Sequence, residues 1–406
     1  MEDETELDAT HMLQLDEQNT SVNPNGKDDN VGNRLTPFAI PFFDNDHLFK
    51  TMCQHVAAGD KSVDWRYVMQ YSGKNLTHIY DGGYCMSREC WSLAQEFCPE
   101  LRTINISLTS DNLQVVQSFL PQWQSLEEIA LSGPASIEEL LMSLSELPRL
   151  QKLSLRNFDY TDRECTALNC LTSVTHLEIG CLNYELLNKI SELLMHLTSL
   201  HIFTMPTMET LRALPAHCGN LENLQLYDAV NGLQRSVPYF PNLKSLEIHD
   251  QKSSTLIFIN HLDLRYNDQL KKLVMPGKYI FANEANRISH LKALTTLSCE
   301  LSDMNCLRHL TNMQLQELSL YSCINMNNVY LLKILRECPT LRFLEVTLCP
   351  LINSRCIDKA LAILFRNGVT AEQPFELHLT GSSISAVDSS KLYCVPHFNL
   401  LKLHLK

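Results

Sequence analysis

Glycine and proline are scarce in this chain, with 13 and 16 residues respectively among 406. Their scarcity excludes collagen-like chains and glycine- or proline-rich low-complexity chains. Long hydrophobic runs are missing as well. Although 45% of the residues are apolar, no uninterrupted apolar stretch approaches the roughly 20 residues that a membrane-spanning helix needs. We therefore expect no membrane partner.

Basic residues are outnumbered, with 33 Lys and Arg against 46 Asp and Glu, so the formal net charge is −13. This balance argues against a nucleic-acid backbone or an anionic membrane as the main partner. The N-terminus, Met1 to Glu4, is acidic, whereas a signal peptide opens with a basic region followed by an apolar one. We therefore expect a cytoplasmic or nuclear protein.

Familiar catalytic and metal-binding motifs are also lacking. The sequence contains no P-loop, GxGxxG, GxSxG or HExxH motif and no set of kinase motifs. It has 15 cysteines, but no CxxC pair and no Cys/His spacing typical of zinc sites, so we expect reduced thiols. A Cys–His pair that meets only in the fold stays an open alternative. We predict a non-enzymatic protein without a cofactor or a bound metal.

Residues 1–34 differ in composition from the rest of the chain. They contain nine acidic and two basic residues, for a net charge of −7, and no aromatic residue. Such a segment cannot bury enough apolar surface to offset the conformational entropy of ordering it. We predict a disordered acidic tail, and we favour an inert, solvated tail over a functional acidic arm.

One pattern, apolar-x-x-apolar-x-apolar, recurs along the remainder of the chain. Its 14 copies are separated by about 25 residues on average, which is within the range of leucine-rich repeats. The copies begin at Leu76, Leu101, Leu126, Leu150, Val174, Leu200, Leu221, Leu243, Leu270, Leu294, Leu315, Leu341, Pro374 and Leu400.

This pattern predicts a strand followed by a helix in each repeat. The alternating apolar residues share one face of a short strand, and the earlier leucine packs into the same interior. An amphipathic helix then returns the chain, as at Asn327 to Glu337, where we expect Val329, Leu332 and Leu335 to face inward. Stacked repeats bury a continuous core. We therefore predict an α/β leucine-rich-repeat solenoid over residues 76–406, a curved horseshoe with parallel strands on the concave face and helices outside.

Three cysteines mark where a helix turns into the next strand. Cys98, Cys218 and Cys338 each precede a strand-opening leucine by three residues, a position that suits a small buried apolar side chain. A reactive or metal-binding thiol is the alternative, but it needs an electropositive or liganded environment.

The stretches Met86 to Leu101 and Leu318 to Leu341 resemble the cysteine-containing leucine-rich repeat. That subclass is typical of F-box/leucine-rich-repeat proteins, the FBXL-like substrate-recognition subunits of SCF-type ubiquitin ligases. The resemblance implies a protein that holds a substrate for ubiquitin-dependent degradation, with a Skp-type adaptor and a cullin as further partners. The alternative is a repeat scaffold with no link to a ubiquitin ligase.

Residues 35–75 precede the first repeat. An F-box opens near a Leu-Pro pair and closes near a Trp, and this segment offers Ile40, Pro41 and Trp65 with a helix expected from Asp44 to Ala58. The interval from Pro41 to Trp65 is too short for a complete F-box. The segment is either a degenerate F-box remnant or a helical cap over the open end of the first repeat, and we favour the cap.

The last strand pattern runs from Leu401 to Leu405, and we expect the outer edge of this strand to lack a paired neighbour. An open edge invites pairing with another chain, and lysine is a residue type that discourages it. Either Lys402 and Lys406 suffice to protect this edge, or a partner covers it.

The x positions of the strand pattern point to the concave face, where solenoids usually bind partners. In the second half of the chain they combine aromatic anchors with carboxylates, and Lys272 is their main basic member. We predict that this surface binds a basic protein, although the same residues could be ordinary solvated strand positions. The predicted binding residues are Tyr227, Glu247, His249, Glu300, Glu317, Tyr321, Phe343 and Glu345.

Overall fold

The computed structural model describes residues 45–59, 63–81, 86–133, 136–204, 206–227, 238–249, 259, 262, 264–311, 313–385 and 396–405. These residues belong to one compact unit, Asp44–Lys406. The predictions for the acidic tail and for Ile40 and Pro41 lie outside the described residues. The division into tail, cap and solenoid stays a prediction.

Fourteen strands in the described part of the chain form one sheet, in which every strand pairs in parallel with the strands before and after it in sequence. The strands are β1 His78–Tyr80, β2 Thr103–Ser107, β3 Glu128–Ser132, β4 Lys152–Arg156, β5 His176–Cys181, β6 Ser199–Thr204, β7 Asn223–Tyr227, β8 Ser245–His249, β9 Lys272–Ile280, β10 Thr296–Leu301, β11 Glu317–Tyr321, β12 Phe343–Thr347, β13 Phe375–Thr380 and β14 Leu401–Leu405.

Helices connect most of these strands. The described α-helices are α1 Asn45–Ala57, α2 Trp65–Ser72, α3 Arg88–Phe97, α4 Leu113–Phe119, α5 Glu138–Leu144, α6 Asp162–Asn169, α7 Tyr184–Lys189, α8 Ser191–His196, α9 Met208–His217, α10 Ala282–Ile288, α11 Leu307–Leu310, α12 Asn328–Glu337 and α13 Ile357–Arg366. Short 3-10 helices lie at Gly73–Asn75, Leu120–Gln122, Leu264–Asp268, Met304–Cys306, Ser354–Cys356 and Phe398–Leu400. None of the described helices is long and apolar enough to cross a membrane.

The apolar residues of the repeat pattern form one continuous core, which confirms the leucine-rich-repeat solenoid. In β4, for example, Leu153 and Leu155 are fully buried, as is Leu150 before the strand. Backbone hydrogen bonds repeat with the same period: the carbonyl of Arg102 accepts from the amides of both Glu127 and Glu128, at 2.8 and 3.0 Å. The carbonyl of Glu127 in turn accepts from Gln151 and Lys152, at 2.9 and 3.0 Å. Each repeat therefore stacks on the previous one in the same register.

One repeat copy was placed three residues too far along the chain. The pattern predicted from Leu200 instead begins at Leu197, which is fully buried, and continues through Leu200 and Ile202. Both Leu200 and Ile202 lie inside β6 and face the core, so Leu200 is the second apolar position of its repeat. The leucines before the strand allow the repeat to begin at either Leu197 or Leu200, and packing in the core selects Leu197.

The inward face of α12 also differs from the prediction. Val329 is 71% exposed, and Leu332 is only partly buried. The residues that face the core are Leu331, Ile334 and Leu335. The helix begins with Asn327 as its cap, whose side chain accepts from the amides of Val329 and Tyr330. This cap places Val329 on the first turn, away from the sheet.

Two helices precede β1. Along α1, Leu48, Phe49 and Met52 are buried, and Trp65 at the start of α2 is 6% exposed. The Asp64 side chain caps α2 by accepting from the Tyr67 amide at 3.2 Å. Both helices thus contribute apolar side chains to the same core as the first repeats.

At the other end of the sheet, β14 has a described neighbour on one side, β13. Lys402 lies 3.1 Å from Glu376 on β13, so it is paired within the sheet. Lys406 lies outside the described residues. The two explanations for this edge stay open.

Candidate functional site

The face of the sheet that points away from the core, here called the open face, is the face predicted to be concave. Because the strands are parallel and in register, its outward side chains form rows that run from strand to strand. One row contains Ser154, Glu178, His201, Gln225 and Glu247, on β4 to β8.

A second row, one position further along the same face, carries stacked side chains. The Arg156 guanidinium lies over the Phe203 ring, 4.2 Å from its centroid. The Phe203 and Tyr227 rings stack at 5.1 Å, and the Tyr227 and His249 rings stack at 4.6 Å. We call Arg156, Phe203, Tyr227 and His249 the stacked row. Arginine can reach Phe203 across β5 because the residue between them is Gly180, which has no side chain.

Glu178 neutralises the charges beside the stacked row. It is 9% exposed, and its carboxylate lies 3.3 Å from the Lys152 ammonium, 3.2 Å from the Arg156 guanidinium and 3.4 Å from His201 Nδ1. The contact with His201, together with these two cations, holds the pKa of Glu178 far below its ordinary value despite burial. The carboxylate is therefore ionised and anchors Arg156 against the aromatic rings.

Glu247 on β8 likewise lies beside basic side chains. Its carboxylate lies 2.7 Å from the Lys272 ammonium and 3.3 Å from His249 Nε2. Burial raises the pKa of Glu247, but Lys272 and His249 outweigh burial and lower it below its ordinary value. Gln225 Nε2 donates to the Tyr227 hydroxyl at 2.6 Å. The charge of Glu247, which was predicted to attract a basic partner, is thus already balanced inside the protein.

The eight predicted binding residues all lie on the open face but fall into two groups. Tyr227, Glu247 and His249 belong to β7 and β8, around the stacked row. The other five lie on β10 to β12, where Glu300 pairs in register with Tyr321 and Glu317 with Phe343. Glu317 accepts a hydrogen bond from the Thr296 hydroxyl at 3.2 Å. The second group consists of Glu300, Glu317, Tyr321, Phe343 and Glu345.

Several residues of this surface were not predicted. Arg156 directly follows the inward residue Leu155, so the strand pattern extended into the first half of the chain would have found it. The pattern would have missed Phe203, because a repeat copy that begins at Leu200 assigns Phe203 to an inward position, whereas in the structure Ile202 is the inward residue and Phe203 follows it on the open face. Tyr279 had no such signal, because β9 contains an irregularity that shifts its pairing with β10 between Ser298 and Glu300. This shift places Tyr279 opposite Glu300.

The cysteines at the helix-to-strand turns have the predicted packing environment. Cys98, Cys218 and Cys338 are at most 1% exposed, and burial raises the pKa of each thiol to about 12. They are therefore protonated and unreactive at neutral pH. In the described part of the chain, no group of three His, Cys, Asp or Glu side chains is placed to hold a metal ion.

No protein-family model matches the chain, and no curated protein matches it significantly. Solved structures with partial likeness include an internalin from Listeria monocytogenes, with 15% identity, coverage of 79% of this chain and 93% of that one, and a TM-score of 0.35. The Rad7–Elc1 complex of yeast gives 16% identity, coverage of 88% and 92%, and a TM-score of 0.40. A complex of TLR13 with the single-stranded RNA ssRNA13 gives 17% identity, coverage of 76% of this chain and 43% of that one, and a TM-score of 0.39. The fold assignment rests on the repeated strands and their core.

Proposed function

We propose that this protein is a protein-interaction module that binds its partner on the open face of the sheet. The observation that carries the proposal is the stacked row, in which an arginine and three rings on β4 to β8 form one partly exposed surface. Aromatic and arginine side chains are the residue types that dominate binding energies in protein interfaces. Their stacking fixes their orientation before a partner arrives, which lowers the entropy lost on binding.

We further propose that the partner is a substrate presented to an SCF-type ubiquitin ligase. This finer proposal is supported by the resemblance of the repeats around Cys98 and Cys338 to cysteine-containing leucine-rich repeats. The helices α1 and α2, which precede the first repeat, are the segment that would contact a Skp-type adaptor. A scaffold that binds proteins on the same face without a ligase is the second candidate, since the interval from Pro41 to Trp65 is short for an F-box.

Site-specific photo-crosslinking tests the binding face. The full-length chain carries p-benzoylphenylalanine in place of Tyr227, and a control carries it in place of Tyr184, which is 44% exposed on α7. We expect a crosslinked protein partner from position 227 and not from position 184. Partners captured equally from both positions, or from neither, would contradict binding on the open face.

Co-purification tests the finer proposal. If the protein serves an SCF-type ligase, gentle purification of the full-length chain from its own cells recovers a Skp-type adaptor and a cullin. Recovery of the partner crosslinked at position 227 without an adaptor or a cullin would favour the scaffold.

A further inference from the structure

Glu300 is a buried residue whose carboxylate has no cation partner in the described part of the chain. It lies on the open face at β10 and is 9% exposed, the same fraction as Glu178. Glu178 is surrounded by Lys152, Arg156 and His201, whereas Glu300 has no hydrogen-bond or ion-pair partner among the described residues. Removing a carboxylate from water is unfavourable unless a cation or hydrogen-bond donors replace the water. Among the described residues, no protein group replaces the water that burial removes from Glu300.

Two tyrosines flank Glu300 on the neighbouring strands. Tyr279 on β9 and Tyr321 on β11 both pair with Glu300 in register. Tyr279 is 46% exposed, and Tyr321 is partly exposed. Strands two apart are separated by roughly 10 Å, so the two rings border a gap wide enough for one cationic group. Aromatic ring faces attract such a group in addition to the carboxylate.

The neighbouring side chains are also anionic or unsatisfied. The hydroxyl of Ser298, two residues before Glu300 on the same face, is buried without a hydrogen-bond partner in the described structure. Glu345 on β12 is partly exposed, and Glu317 on β11 is exposed. Lys272, a cation on this side of β9, is engaged with Glu247 at 2.7 Å.

We propose that Glu300, Tyr279 and Tyr321 bind the side-chain cation of a lysine or an arginine that a protein partner inserts into the open face. This inference rests on the proposed function, because the cation belongs to a protein bound there. Glu300 neutralises the ammonium or guanidinium group, the two rings enclose its alkyl stem and its charge, and the Ser298 hydroxyl is available as a further acceptor. Glu317 and Glu345 steer the basic segment towards the site.

Peptide binding by the full-length chain tests the inference. The probes are immobilised 11-residue peptides with random sequence except at the centre, which is Lys, Arg, Gln or norleucine. We expect the wild type to retain Lys- or Arg-centred peptides about tenfold better than Gln-centred ones, since removing one partner of a desolvated charge pair has at least that effect. Glu300→Gln, which keeps the shape and removes the charge, loses this preference, whereas Glu209→Gln, at an exposed carboxylate on helix α9, retains it. Equal retention of all four peptide sets, or retention of none, would overturn the inference.

Thermal melting of the free protein gives a second readout. Because no described cation pairs with Glu300, Glu300→Gln should melt at the wild-type temperature or higher, whereas Glu178→Gln should melt lower. A Glu300→Gln variant that melts as low as Glu178→Gln would show that Glu300 is satisfied within the chain, and would overturn the inference. If crosslinking from position 227 persists in Glu300→Gln and this variant keeps the wild-type peptide preference, the cation site is rejected and the proposed function is not. A charge-dependent peptide preference without any crosslinked protein rejects the proposed function alone.

Discussion

At the scale of single residues, four positions that directly follow a strand share an unusual backbone conformation. Asn157, Ser322, Leu348 and Gly381 each come directly after the last residue of a strand and have φ between 53° and 71°. Glycine and asparagine adopt this left-handed region readily, whereas a leucine there costs about 1–2 kcal/mol. The Leu348 side chain is also 53% exposed, so little burial offsets the strain.

We expect Leu348→Asn to raise the free energy of unfolding by about 1 kcal/mol, because asparagine relieves the left-handed strain. Leu351→Asn is the matched control, since Leu351 is 52% exposed and does not have a positive φ. Urea denaturation of both variants and the wild type measures the difference. A Leu348→Asn variant that is no more stable than Leu351→Asn would contradict the role of backbone strain.

The Glu178 carboxylate stabilises the fold through its ionised form. Its folded-state pKa lies below the ordinary value of 4.5, so this stabilisation is present above about pH 4.5 and is lost as the pH falls towards the folded-state value. We expect Glu178→Gln to lower the free energy of unfolding by about 1–3 kcal/mol at pH 7. Denaturation at several pH values should show the difference from wild type shrinking below pH 4.5.

An exposed ion pair provides the control for this effect. Glu127 lies 3.6 Å from Arg102, and both side chains are about half exposed, so Glu127→Gln should change stability by less than about 1 kcal/mol. A Glu178→Gln variant that differs from wild type equally at every pH would indicate lost packing and not lost charge.

At the scale of secondary-structure elements, the cap decides which face of a helix meets the core. The apolar residues of α12 occur at spacings that suit more than one face, and the predicted face included Val329. Asn327 caps the helix, and tertiary packing then buries Leu331 and Ile334 completely. Tertiary structure also decides which residues of the irregular strand β9 face its neighbour. Gly277, with φ 75°, lies inside β9, and the altered pairing there brings Tyr279 beside Glu300.

Alanine substitutions distinguish the two faces of α12. Leu331→Ala should lower the free energy of unfolding by about 2–5 kcal/mol, because it leaves a cavity in a packed interior. Val329→Ala removes exposed methyl groups and should change stability by less than about 0.5 kcal/mol. Chemical denaturation compares the two. A larger loss for Val329→Ala than for Leu331→Ala would restore the face predicted from the sequence.

At the scale of the whole molecule, the described sheet is a one-dimensional stack in which each strand pairs only with its sequence neighbours. Stability in such a stack depends on contacts between adjacent repeats. The proposed binding surfaces depend on the same pairing of adjacent strands. The stacked row and the Glu300 site are each built from residues on successive strands, about 20–25 positions apart in sequence, which parallel pairing brings side by side. The open face therefore carries two separate surfaces, one neutralised by internal ion pairs around Glu178 and Glu247 and one around Glu300, whose carboxylate has no cation partner among the described side chains.

The sequence by itself determined the repeat class, the position of nearly every strand and the packing role of Cys98, Cys218 and Cys338, because these depend on a short apolar pattern copied along the chain. Only the tertiary structure decided the phase at Leu200 and the partners on the open face. Lys272 could be recognised as a basic residue of this face, but its pairing with Glu247 could not. Likewise, the environment of Glu300, which has no cation partner among the residues that the structure describes, depends on side chains of several strands, whose mutual placement is set by packing and by the irregularity in β9.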